Sequence, residues 1–210
     1  CYTLGALPPL ASLHTCLCMG ASLSLYEGFK KSLKKDVVGV IGDSTFVHGG
    51  IPALINLSYN KTGGLIIILD NGTTAMTGNQ PHPGTGTTIK KEATKQLKLE
   101  DLCRTAGADD VCVVDPFKTK ELENLIRLKV NAESLCVLIA RSPCRLNFKE
   151  KKHPPLFESE KCRKCYLCLN ISCPAISKNE EGLISIDTLI CVGCNLCAEV
   201  CPWGAINAHG

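Results

Sequence analysis

The sequence lacks the features of a membrane, secreted or nucleic-acid-binding protein. Its apolar runs, such as residues 65–69, are far too short to cross a bilayer. No basic segment followed by an apolar one opens the chain, as it would in a signal peptide. The net charge is only +3, without a lysine- or arginine-rich block, which disfavours nucleic acid. We therefore expect a globular protein with neither a membrane nor a nucleic-acid partner.

Cysteine, in contrast, is abundant, with 15 residues in a chain of 210. A secreted disulfide scaffold would explain this number, but eight of the cysteines fall within residues 162–173 and 191–201. Disulfides do not require the C-x-x-C-x-x-C spacing found there. Among the scattered cysteines, Cys112 and Cys136 lie in apolar runs, where a free thiol behaves as a small hydrophobe. These patterns favour a reducing, cytoplasmic location.

The first part of the chain alternates between strand-like and helix-like segments. Short, continuous apolar runs indicate strands buried on both faces, as in a parallel sheet. They occupy residues 37–41, 65–69, 111–114 and 135–140. Helix-like segments lie at roughly 20–35, 50–60, 92–106 and 119–130. This alternation predicts an α/β domain over residues 1–148.

A charged, proline-containing segment at residues 149–161 is predicted to be a linker. The remaining domain, residues 162–210, contains an internal repeat, in which "CRKCYLCLNISCPAI" is followed by "CVGCNLCAEVCPWGAI". The segment "KNEEGLISID" between the two copies predicts a short hairpin.

The repeated cysteines have the spacing of ligands to two [4Fe-4S] clusters. A C-x-x-C-x-x-C run supplies three thiolates to one cluster, and the later cysteine that precedes proline binds the other cluster. Zinc sites are the alternative, but two C-x-x-C pairs would leave the third cysteine of each run unexplained. The spacing predicts one cluster on Cys162, Cys165, Cys168 and Cys201, and the other on Cys191, Cys194, Cys197 and Cys173.

Residues 162–206 resemble a bacterial two-cluster ferredoxin domain, an α+β fold. The second copy fits the family's C-x2-C-x2-C-x3-C-P pattern, whereas the first has four residues before Cys173 where the family has three. We expect this extra residue to form a small bulge.

A second candidate site follows the first two predicted strands. Asp43 comes directly after one strand and Asn71 comes just after the next, with a helix between them. Both turns of such a βαβ unit fall at the carboxyl edge of the sheet, where open α/β sheets bind ligands. One carboxylate, one amide oxygen and a backbone carbonyl suit Mg²⁺ that also binds phosphate. A helix opening near residues 48–51 would direct free N–H groups at that phosphate.

Neither a P-loop nor a Rossmann glycine motif is present. A plain turn would explain Gly-Asp-Ser alone, but the paired asparagine favours a Mg²⁺–diphosphate site. His48 and His82 are interpreted as surface or capping histidines, with contact to a diphosphate or substrate as the alternative.

The Gly-Asp pair and the later asparagine resemble the thiamine diphosphate motif. The loop "TTAMTGNQ" at residues 73–80 resembles that of 2-oxoacid:ferredoxin oxidoreductases. "CYTLG" and "CMGAS", at residues 1–5 and 18–22, resemble the large subunit of indolepyruvate ferredoxin oxidoreductases. The resemblance covers essentially the whole chain.

This resemblance implies roles for particular residues. Asp43, Asn71 and the carbonyl of Thr73 would bind Mg²⁺, while Gly42 and Ser44 would approach the diphosphate. The thiazolium or substrate side would be formed by Cys18, Met19, Gly20, Ala21, Thr77 and Gly78.

The resemblance also implies a reaction, the oxidative decarboxylation of an aryl pyruvate. Coenzyme A would take the acyl group, and the clusters would pass single electrons to an external ferredoxin; a small beta subunit would be the protein partner. Pyruvate or 2-oxoglutarate oxidoreductase is the alternative within this class. An electron-transfer subunit that binds no thiamine is the alternative outside it.

Thiamine enzymes of this kind use two α/β domains, and the second supplies an activating glutamate. One such domain is recognised in this sequence, and the chain begins at Cys1. We therefore expect a piece of a longer protein that does not turn over alone.

Overall fold

The computed structural model describes residues 2–33, 36–147 and 153–208, which form two compact units. The first comprises residues 1–2 and 15–144, and the second comprises residues 3–14 and 145–210, apart from the undescribed positions. Within the described residues, no helix has the length and apolar character that a membrane span requires.

The first unit contains a four-stranded, entirely parallel sheet. Its strands are β1 (Val38–Gly42), β2 (Gly64–Asp70), β3 (Asp110–Val114) and β4 (Leu135–Arg141), in the order β1-β2-β4-β3. Its helices are α1 (Ala21–Leu33), α2 (Asp43–Thr45), α3 (Ile51–Tyr59), α4 (Leu99–Thr105) and α5 (Thr119–Lys129). The predicted parallel α/β fold is confirmed, and β1 and β2 are neighbours as expected.

The continuous apolar runs arise because the central strands are covered on both faces. On β2, Ile66 and Ile68 pack into a core with residues of α1, α3 and α4, whereas Leu65 and Ile67 pack into a core with residues of α5. Side chains alternate between the faces of a strand, so both sets must be apolar. Cys136 belongs to the α5 core and is 2% exposed, consistent with its predicted role as a small hydrophobe.

The helix after β1 begins earlier than expected. It starts at Asp43, directly after the strand, and continues through a π-helical turn at Phe46–Gly50 into α3. The expected helix opening near residues 48–51 is therefore wrong. The free N–H groups of a helix belong to its first turn, which here lies at Asp43–Thr45.

The predicted helix at residues 92–106 forms only from Leu99. The residues before it pair with the preceding loop: Thr94 N–H donates to Gly86 O at 3.0 Å, and Leu97 N–H donates to Pro83 O at 3.0 Å. These contacts hold the segment extended, so tertiary pairing overrides its helical pattern.

The second unit is built from short elements. Its strands are β5 (Leu156–Phe157), β6 (Ile176–Lys178), β7 (Ile184–Ile186) and β8 (Ile206–Asn207), and its helix is α6 (Leu196–Glu199). Strands β6 and β7 form the antiparallel hairpin predicted between the cysteine runs. Part of the expected linker joins this unit, because β5 pairs with β8; residues 148–152 of the predicted boundary lie outside the described residues.

Candidate functional site

The carboxyl edge of the parallel sheet brings two acidic residues together. Asp43 follows β1 and is 3% exposed, and Asp70 ends β2. The backbone N–H of Gly72 donates to both carboxylates, at 2.9 Å to Asp43 Oδ2 and 3.2 Å to Asp70 Oδ1. A backbone φ of +69° at Gly72, which favours glycine, turns this N–H toward them. The edge therefore carries concentrated negative charge that suits a cation.

The two carboxyl groups differ in how readily they ionise. Burial opposes ionisation of Asp43, but hydrogen bonds from His82 and Ser44 outweigh it and lower the pKa of Asp43. Burial raises the pKa of Asp70; a hydrogen bond from Arg141 opposes this effect, and the nearby charge of Asp43 adds to it. Asp43 is thus the more readily ionised of the pair.

The predicted oxygen ligands lie on the turn after β2. Asn71 Oδ1 accepts a hydrogen bond of 3.1 Å from Thr73 N–H, and Thr73 is 4% exposed. The segment that follows β4 holds this turn in place, because Cys144 N–H donates to Asn71 O at 2.9 Å. The carboxylate, amide and carbonyl groups proposed for Mg²⁺ thus come from adjacent parallel strands, and their oxygen chemistry fits that ion.

The remaining residues expected around thiamine come from two further loops. The segment before α1 lies close to the π-helical turn. A Cβ atom placed on Gly20 would be 3.8 Å from the backbone of Gly49. Cys18 and Met19 are exposed. Thr77 and Gly78 belong to a separate loop, closed by the hydrogen bond from Thr77 Oγ1 to Gln80 Oε1.

The Oγ atom of Ser22, next to the Gly20 segment, is buried and has no hydrogen-bond partner among the described residues. A polar ligand in this region would satisfy it. This orphaned atom is consistent with the thiamine interpretation.

Asp70, Arg141 and Glu100 were not predicted as site residues, and His82 was predicted to contact a ligand only as the alternative. His82, interpreted as a surface or capping histidine, has a side chain only 7% exposed, and its Nε2 lies 3.2 Å from Asp43 Oδ2. Arg141 donates to Asp70 and, through two hydrogen bonds, to Glu100. Because Arg141 ends an apolar strand, the sequence could have predicted that it lies at the same sheet edge. No sequence pattern indicated that Glu100 belongs to this site.

A cavity of about 490 Å³ opens beside this acidic edge, lined in part by Asp70, His82, Lys98, Glu100 and Arg141. His48, in contrast, is exposed.

In the second unit, the cysteines predicted for the first cluster line one cavity. Cys162, Cys165, Cys168 and Cys201 all contribute to its wall, so the last cysteine of the second run lies with the first three of the first run. In the second run, Cys194 and Cys191 lie close enough to Cys197 to add to the effect of burial, which raises the pKa of Cys197. Cys173 is partly exposed.

The two cysteine runs repeat in backbone conformation as well as in sequence. Lys164 and Tyr166 have φ values of +50° and +59°, and the equivalent Gly193 and Asn195 have +64° and +62°. Left-handed conformations are unfavourable for residues with a Cβ, so their recurrence at matching positions shows one loop structure used twice. Ser172, just before Cys173, has a φ of +54°, which accommodates the extra residue of the first copy.

Burial favours the protonated thiol at two of the cysteines, because it raises the pKa of Cys168 and raises that of Cys197 to about 11. Iron–sulfur clusters bind thiolates, so cluster binding at these positions must release protons. Within residues 2–33, 36–147 and 153–208, no group of three or more His, Cys, Asp or Glu residues fits a single metal ion. A four-iron cluster differs from a single ion, because each thiolate binds a separate iron.

Sequence comparisons define the class of protein to which this site belongs. The family described as "Thiamine pyrophosphate enzyme, C-terminal TPP binding domain" matches residues 3–140, and the chain belongs to this family. The family described as "4Fe-4S binding domain" matches residues 184–207. A thiamine diphosphate-binding domain is thus followed by an iron–sulfur domain.

Over its whole length, the chain is similar to indolepyruvate oxidoreductase subunit IorA. It is 42% identical over 213 residues to the Archaeoglobus fulgidus subunit, covering 99% of this chain and 34% of that one. It is 41% identical over 230 residues to the Pyrococcus horikoshii subunit, covering 99% and 35%. The chain therefore spans about a third of the length of these relatives. The predicted resemblance to the large subunit of indolepyruvate oxidoreductases is confirmed.

A shorter similarity concerns pyruvate synthase subunit PorD of Methanocaldococcus jannaschii. The identity is 44% over 55 residues, which are 25% of this chain and 63% of that protein.

Proposed function

We propose that this chain is the thiamine diphosphate-binding and electron-relay part of a 2-oxoacid:ferredoxin oxidoreductase. Its substrate would be an aryl pyruvate such as indolepyruvate, and its products acyl-coenzyme A and CO₂. The proposal rests on two features that occur in one chain. The first is Asp43, a buried carboxylate suited to bind a metal ion at the sheet edge. The second is a cavity lined by four cysteines.

The residues at the sheet edge would anchor the diphosphate through Mg²⁺. Asp43 supplies the charge, and Asn71 and the carbonyl of Thr73 supply neutral oxygens. Gly42 and Ser44 would lie beside the diphosphate. When bound, thiamine diphosphate supplies an electron sink for decarboxylation of the 2-oxo acid.

The loops around this edge would form the reaction side of the cofactor site. We assign this role to Cys18, Met19, Gly20, Ala21, Thr77 and Gly78. The approach of Gly20 to the π-helical turn supports the first part of this assignment.

The cysteine runs would hold two [4Fe-4S] clusters, with Cys162, Cys165, Cys168 and Cys201 on one and Cys191, Cys194, Cys197 and Cys173 on the other. The cavity lined by the first set and the repeated loop conformation support two sites. Two one-electron carriers match a two-electron oxidation that delivers electrons singly to ferredoxin.

The aryl-pyruvate substrate is proposed from the names of the relatives most similar along the chain. A small beta subunit, coenzyme A and an external ferredoxin complete the proposed assembly. Pyruvate is the second candidate substrate, because a shorter relative is named as a pyruvate synthase subunit.

An anaerobic assay of the full-length complex would test the proposal. With coenzyme A and ferredoxin present, we expect turnover of indolepyruvate to exceed that of pyruvate and 2-oxoglutarate. Preference for pyruvate would move the substrate to the second candidate. No 2-oxo acid oxidation, together with no binding of Mg²⁺–thiamine diphosphate by calorimetry, would favour an electron-transfer subunit instead.

A further inference from the structure

The imidazole of His82 is fixed at both ring nitrogens. Gly84 N–H donates to Nδ1 at 3.2 Å, and Nε2 lies 3.2 Å from Asp43 Oδ2. The side chains of His82 and Asp43 are 7% and 4% exposed. Two hydrogen bonds hold the backbone around the ring, because Thr85 N–H and Thr85 Oγ1 both donate to His82 O at 2.8 Å. The ring therefore has one well-defined orientation.

These partners assign the neutral tautomer of His82. Nδ1 accepts from a backbone N–H, so it carries no proton, and the ring proton resides on Nε2. Nε2 then donates to Asp43 Oδ2. A protonated Nε2 cannot bind a metal ion, which excludes His82 as a ligand in this geometry.

The carboxylate of Asp43 has nearly all its acceptor positions filled. Its two oxygens offer about four lone-pair positions. Gly72 N–H and His82 Nε2–H donate to Oδ2, while Ser44 N–H donates to Oδ1 at 2.7 Å. These three N–H donors leave a lone pair open on Oδ1; the neighbouring carboxyl group of Asp70 also interacts with Asp43.

We propose that His82 is a positioning residue for the metal carboxylate of the thiamine site. Its Nε2–H occupies Oδ2 and thereby orients Oδ1 toward the cation. This inference rests on the proposed function, since it assumes that Asp43 binds Mg²⁺ with the diphosphate. Outer-shell partners of metal ligands typically change metal affinity by about 10–100-fold when they are lost.

Calorimetric titration of Mg²⁺–thiamine diphosphate into the apo form of the full-length complex tests this role. We expect His82→Leu to raise the Kd by about 10–100-fold. His82→Gln keeps a side-chain N–H donor and should stay within about threefold of wild type. His153→Leu, at an exposed histidine of the second unit, is the matched control and should leave the Kd unchanged.

A histidine that only stabilises the fold would change the Kd equally in the wild-type and the Asp43→Asn backgrounds. If His82 acts through Asp43, His82→Leu should change the Kd by less than about threefold in an Asp43→Asn background, because coupled residues are not additive. Should His82→Leu fail to fold, His82→Asn, with an amide too short to reach Oδ2, replaces it.

The outcomes separate this inference from the proposed function. Absence of binding by the wild type would overturn the proposed function itself. Wild-type affinity in His82→Leu, an equal loss in His82→Gln, or full additivity with Asp43→Asn would overturn only the positioning role.

Discussion

Replacing Arg141 with methionine should destabilise the first unit more than the same replacement at an exposed arginine. Arg141 Nε donates to Asp70 Oδ2 at 2.6 Å, and its two terminal nitrogens donate to the Glu100 oxygens at 2.8 and 3.0 Å. The Asp70 and Glu100 side chains are only 12% and 23% exposed. The substitution leaves both without their cation, one of them beside Asp43.

The size of this loss follows from the exposure of the three side chains. Removing one partner of a fully buried pair costs about 3–5 kcal/mol, whereas an exposed pair contributes roughly 0–1 kcal/mol. Because the Arg141 side chain is 40% exposed, solvent screening places the expected loss between these limits, at about 1–3 kcal/mol.

Arg127→Met is the matched control. Its ion pair with Glu123 on α5 joins side chains that are 75% and 60% exposed, so the loss should be no more than about 0.5 kcal/mol.

The destabilisation should also depend on pH. Hydrogen bonds from Arg141 hold the pKa of Glu100 below its ordinary value of 4.5. The stability that they provide is therefore present above this value and is lost as the pH falls through the folded-state pKa. Without Arg141, the already raised pKa of Asp70 should rise further, which destabilises the fold as the pH increases. Both effects make the loss larger at about pH 7 than at about pH 3.

Urea unfolding followed by far-ultraviolet circular dichroism, which detects the helices of the first unit, measures these differences. Equal midpoints for Arg141→Met and Arg127→Met at neutral pH would refute the reasoning. So would a loss that grows as the pH falls.

The remaining predictions concern the two cofactor sites. Asp43→Asn should weaken binding of Mg²⁺–thiamine diphosphate by roughly 10²–10³-fold, because a charge-assisted contact becomes neutral. Asn71→Ala should weaken it less, and calorimetry that shows wild-type affinity in Asp43→Asn would place the metal elsewhere. Anaerobically prepared protein should contain about eight irons, and Cys165→Ser should lose about four of them. Cys112→Ser should lose none; stoichiometric zinc without iron would contradict the assignment. Both clusters should be reduced below 0 mV, in the low part of the span of such clusters, and redox titration gives the midpoints.

The sequence alone determined the sheet and the chemistry of both candidate sites. Continuous apolar runs predicted four parallel strands buried on both faces. This holds for the central strands β2 and β4, whereas the edge strands β1 and β3 are only partly buried. The position of Asp43 and Asn71 after successive strands predicted their common edge. The cysteine spacing predicted which ligands converge, since three thiolates within seven residues belong to one loop.

The tertiary structure decided how these groups are held. The helix begins directly at Asp43, the segment before α4 is extended, and His82 and Glu100 reach the acidic edge from loops and helices far along the chain. The placement of His82 and Glu100 depends on hydrogen bonds between residues distant in sequence, as in the 39-residue separation of His82 and Asp43. Local patterns report periodicity and turn chemistry, whereas such contacts form only when packing brings separate elements together.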